Sequence, residues 1–74
     1  MPFSRAPYGT DTINLMTAAL DAAWIAARLE VPGLSALDRA DMARAIRDAV
    51  AGGERDFKRL QQTALQALAR GHQI

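Results

Sequence analysis

Apolar positions along the first half of the chain recur at three- and four-residue spacing, and no proline or glycine interrupts them between Thr12 and Glu30. That spacing predicts an α-helix over about Thr12–Glu30, with Thr10 or Asp11 as its capping residue. Stepping 100° per residue gathers Ile13, Met16, Leu20, Trp24, Ala27 and Val31 on one bulky stripe. A second, alanine-rich stripe of Leu15, Ala18, Ala22, Ile25, Ala26 and Leu29 lies on the far side. Only a narrow polar line of Asn14, Thr17, Asp21 and Arg28 separates the two. A helix that is apolar nearly all round is normally buried nearly all round. The bulky stripe is therefore expected to face its own chain, and the alanine stripe a second copy.

Pro32-Gly33 breaks this helix, and Ser35 followed three residues later by Asp38 fits a capping-box variant. A second helix is predicted over about Ala36–Ala51. Its apolar side carries Met42, Ala43, Ile46, Ala49 and Val50, and its polar side carries Asp41, Arg44, Arg47 and Asp48. Gly52-Gly53 supplies the positive-φ residue that a helix C-terminus favours, and Asp56 is placed to cap a third helix. Phe57, Leu60, Ala64, Ala67 and Leu68 form that helix's buried stripe, with Leu65 at its margin and Arg70-Gly71 closing it. The short turn makes an antiparallel hairpin of the last two helices. No segment alternates as a strand would. The pattern thus predicts an all-α, three-helix unit, a long first helix plus a helical hairpin, dimerising through the first helix. Residues 11–74 form one helical domain. Residues 1–10 form an extended arm, marked by Pro2, Pro7 and Gly9, whose Phe3 and Tyr8 could pack on a neighbouring helix.

The segment Ala51 to Leu60, A-G-G-E-R-D-F-K-R-L, followed by Ala64-Leu65 and Ala67-Leu68, resembles the C-terminal part of short uncharacterised bacterial helical proteins carrying a GERD-type turn. The likeness covers the last third of the chain. Phe57 stands where those proteins often have proline. The resemblance implies the turn and the helix after it, and no activity.

Size sharpens the picture of association. The chain has 74 residues, half of them apolar, and nearly half of those are alanines whose methyl groups bury little surface. It has no cysteine, so disulfides are excluded, and one histidine, His72, cannot make a structural zinc site alone. Association is the remaining source of stability for so small a core. No basic start followed by an apolar run marks a signal peptide, and Ile13–Val31 carries Asn14, Asp21, Arg28 and Glu30, too many polar groups for a membrane span. A cytoplasmic protein is the expectation.

Nine Lys plus Arg against eight Asp plus Glu leave a net charge of +1, too balanced to mark a nucleic-acid or membrane binder by itself. Candidate chemistry is sparse. Ser4 and Ser35 have no histidine and acid near them in sequence, and Gly52-Gly53-Glu54 lacks the lysine and hydroxyl residue of a phosphate loop. Asp38 with Asp41, and Glu54 with Asp56, sit where helix dipoles favour carboxylates. Asp21 reads as a surface residue; a sharper possibility pairs it with Arg28 of a second copy. The expectation is therefore a non-enzymatic interaction or structural protein without cofactor, acting as a homodimer and able to meet another protein. The alternative is a small DNA-binding regulator using Arg55, Lys58 and Arg59, although Arg59 would fall where a helix-turn-helix buries an apolar residue.

Overall fold

The structure, a computed structural model, describes residues 9–71. It consists of α1 (Thr10–Glu30), α2 (Ala36–Ala51) and α3 (Phe57–Gly71), with no strand among the described residues. The all-α, three-helix architecture is thus as the pattern predicts. The arm residues Phe3 and Tyr8, and His72, lie outside the described residues.

The first helix begins two residues before its expected start. Gly9 holds the N-cap position in extended backbone and accepts the Ile13 N–H at 3.0 Å, with no side chain capping the helix. Thr10 therefore belongs to α1 and not to the arm, and neither it nor Asp11 is the cap. Asp11 instead lies in the first turn, where the helix dipole favours an anion. At the other end Val31 donates to the Ala27 carbonyl, and Pro32 and Gly33 turn the chain, Gly33 with φ +77°. Proline presets the first turn position and glycine takes the left-handed one without steric cost.

The start of α2 is set by the expected reciprocal cap. Asp38 donates its N–H to Ser35 Oγ at 3.4 Å, and its carboxylate accepts the Ser35 N–H at 2.9 Å. Two N–H groups with no helical partner are satisfied at once. The end of α2 closes in a Schellman arrangement: Gly53, φ +104°, donates to Val50, and Glu54 donates to Ala49, both at 3.0 Å. The Asp56 carbonyl then accepts the Leu60 N–H at 3.0 Å and opens α3.

Met16, Leu20, Met42, Ile46, Val50 and Leu60 fill the core, joined by Leu68 and by the buried alanines Ala19, Ala23, Ala27 and Ala64. The α2 and α3 faces follow the sequence pattern with two corrections, one being Ala67, expected in the buried stripe of α3 and only half-buried. Phe57, expected in the core, is 38% exposed, because the first residue of α3 stands at the end of the hairpin where α2 has already stopped.

On α1 the core line is rotated from the expected one. It runs Met16, Ala19, Leu20, Ala23, Ala27, while Ile13, Trp24 and Val31 are only partly buried. Two helices pack against α1, and the line facing between them carries small residues that let the backbones approach; the larger side chains flank it. Thr17, expected on the polar line, is half-buried. Its Oγ1 is buried with no hydrogen-bond partner. A buried hydroxyl left unpaired costs about 1–3 kcal/mol. Thr17→Val, which keeps the shape and removes the hydroxyl, is expected to raise the urea midpoint; a lowered midpoint would show the hydroxyl to be stabilising.

Candidate interaction surface

Opposite the core line, α1 presents Ala18, Ile25 and Leu29 to solvent. Ile25 is 62% and Leu29 84% exposed, the largest apolar side chains left uncovered on this helix. Ala22 and Ala26 sit half-buried at the edge of the same strip. Half of the six-residue stripe read from the sequence is thus exposed and half is half-buried, and one of the latter, Leu15, packs against the core of its own chain. It lies on the flank of α1 nearest the buried line, so the rotation that buries Ala19 and Ala23 carries Leu15 inward with them.

On the core side of α1, between the C-terminal ends of α1 and α3, is an apolar cleft of about 240 Å³ lined by Ala27, Glu30, Val31, Leu65, Leu68 and Ala69. Arg28 borders the strip next to Ile25 and Leu29. Neither Arg28 nor Glu30 has an ion-pair partner among the described residues. Uncovered apolar side chains and the charge of Arg28 thus occur together on this strip.

Asp21 lies on the α2 side of the strip, and its carboxylate has a partner that the sequence reading missed. Arg39 Nη2 of α2 donates to Asp21 Oδ1 at 2.6 Å, and its guanidinium lies over the Trp24 ring, 5.4 Å from the centroid. Asp21 and Trp24, one turn apart on α1, form a receptor for a planar cation. The pair is partly exposed, the side chains 37% (Arg39) and 54% (Asp21), so its worth is within about 1 kcal/mol. The carboxylate is thus engaged within the chain, where the sequence reading had considered Arg28 of a second copy. The signal that could have found it is the Asp21/Trp24 spacing together with an arginine early in α2.

The basic residues of the DNA-binding alternative do not form a free cationic face. Arg55 Nη1 donates to the Val50 and Glu54 carbonyls, each at 2.8 Å, and so ties down the end of α2. Arg59 lies 3.8 Å from Glu54 and 4.0 Å from Asp56, while Lys58 is exposed. Two carboxylates within this cluster offset the field that would attract a phosphate backbone. The Glu54 carboxylate also has a local role: its Oε2 accepts the backbone N–H groups of Arg55 at 3.2 Å and Asp56 at 3.4 Å.

Elsewhere the surface is mixed in sign. A groove of about 460 Å³ between α2 and α3 is bordered by Asp41, Arg44, Asp48, Thr63 and Arg70. Among the described residues no cluster of three or more histidine, cysteine or carboxylate side chains could hold a metal ion, and no helix is long and apolar enough to cross a membrane. Comparison with known proteins adds no family to this description: no family model matches the chain, and no curated protein or solved structure is significantly similar to it.

Proposed function

We propose that this protein is a small, non-enzymatic helical interaction module that works by self-association through the outer face of α1. The observation that carries the reading is the exposure of Ile25 and Leu29 on a helix whose opposite face already fills the core. Covering two large aliphatic side chains removes apolar surface from water at a gain of roughly 25 cal/mol per Å². The small residues Ala18, Ala22 and Ala26, one turn apart, let a second helix come close along the same strip.

A chain this short gains more than affinity from pairing. Among the described residues its core of eleven buried apolar side chains includes four alanines, and a partner surface extends that core across the interface. The test is thermal unfolding over a hundredfold dilution. A self-associating chain of this size is expected to lose roughly 5–10 °C in melting temperature over that range. A melting temperature that stays fixed overturns the reading.

A further inference from the structure

Resting on that self-association, we infer that two copies pair antiparallel along α1 across a two-fold axis at Ile25, so that Leu29 of each packs on Ala22 of the other and Arg28 of each reaches Asp21 of the other. The placing of these residues around the exposed strip carries the inference. Ile25, 62% exposed, stands in the middle. Asp21 and Arg28, two turns apart along α1, fall within about 20° of each other on one flank of it. Ala22 and Leu29, with the same spacing, fall within about 20° of each other on the opposite flank. The strip thus has a charged edge and an apolar edge. Each edge is complementary end to end: a carboxylate toward the N-terminus and a guanidinium toward the C-terminus on one, a methyl group and an isobutyl group on the other.

A two-fold axis perpendicular to the plane of the two helices keeps like edges together and reverses their direction. Opposite charges then meet twice along one edge, and the 84% exposed Leu29 lies over the small Ala22 twice along the other, residue i meeting j and j meeting i. A parallel pair, whose axis runs along the helices, sets the apolar edge of one copy against the charged edge of the other and brings Leu29 beside a guanidinium. Charge also selects a second copy as the occupant. Arg28 is exposed and has no ion-pair partner among the described residues. Arg39 bonds only Oδ1 of Asp21, whose side chain remains 54% exposed, so Oδ2 can accept a second cation while Arg39 holds the carboxylate from the α2 side. The contact of one strip is smaller than the roughly 800 Å² per partner of a stable complex, so the dimer forms and separates with concentration.

The chain has no cysteine, so a single introduced one reports the register directly. Ile25→Cys and Ala18→Cys both fall at exposed positions, and circular dichroism checks that each variant remains helical. Under mild oxidation Ile25→Cys is expected to give a disulfide-linked dimer, because helices packed about 8–10 Å apart bring Cα atoms at the axis within disulfide range. Ala18→Cys is expected to cross-link at least ~10-fold more slowly, because the antiparallel register sets the two cysteines about 21 Å apart along the helices. In sedimentation equilibrium Arg28→Glu is expected to raise the dimer dissociation constant about 3- to 10-fold. Rapid cross-linking of both cysteine variants, as a parallel pair gives, or of neither, overturns the antiparallel register while a dimer of the wild-type chain in the centrifuge leaves self-association standing. An unchanged constant for Arg28→Glu overturns the Arg28–Asp21 contact and the register with it. A wild-type chain that stays monomeric at every concentration overturns both this inference and the reading on which it rests.

Discussion

Leu20→Ala is expected to destabilise the domain by about 2–5 kcal/mol, whereas Leu37→Ala, the same substitution in α2, is expected to stay within about 0.5 kcal/mol. Leu20 is fully buried among Met16, Met42, Ile46 and Leu60, and Leu37 is 78% exposed. Removing three carbons from the core loses their transfer energy and leaves a cavity that the surrounding helices can only partly close. A folded chain of this length holds on the order of 4–11 kcal/mol in total, so the upper part of the Leu20 range leaves a mixture of folded and unfolded molecules. Urea titration followed by far-ultraviolet circular dichroism reads both variants. Equal midpoints for the two would mean that α1 does not bury the face described.

The second large effect comes from adding atoms. Ala23→Leu is expected to cost about 1–3 kcal/mol through overpacking. Alanine and leucine are both strong helix formers, so helix propensity alone makes this substitution close to neutral. Ala23, however, is fully buried between Ala19 and Ala27 on α1, and α3 brings the equally buried Ala64 to the same core. Small residues on both helices set their separation, and a leucine must push the backbones apart or adopt a strained rotamer. The expected signature is a lower melting temperature with helical content retained in the cold. A variant as stable as the parent would show that the helices have slack at this position.

These two substitutions mark where the sequence was legible. The bounds of α2, its reciprocal Ser35–Asp38 cap and the glycine turn at Gly53 were readable because each depends on residues within a few positions of one another. The start of α1 was misread by two residues because a glycine N-cap leaves no side-chain signature, and the residues that advertise caps, Thr10 and Asp11, sit inside the helix instead. The buried faces of α2 and α3 were readable because each has a single apolar side. On α1, apolar on two sides, periodicity could not choose the rotational setting.

The candidate surface shows the same division. Three of the six stripe residues, Ala18, Ile25 and Leu29, are exposed and three, Leu15, Ala22 and Ala26, are half-buried, Leu15 against the core of its own chain. The cleft between α1 and α3 was illegible, since it is made by two segments far apart in sequence, Ala27 to Val31 and Leu65 to Ala69. So was the Arg39 clamp on Asp21 and Trp24, whose members lie up to 18 positions apart.

By itself, then, the sequence determined the helices, their turns and the presence of more apolar surface on α1 than two short helices can cover, because propensity, capping and periodicity act over one or two turns. The tertiary structure alone decided which way α1 faces, which alanines set the helix separation and which leucine is left outside. Those outcomes depend on three helices fitting together at once, and side-chain volume rather than hydrophobicity chooses among the settings that the pattern allows.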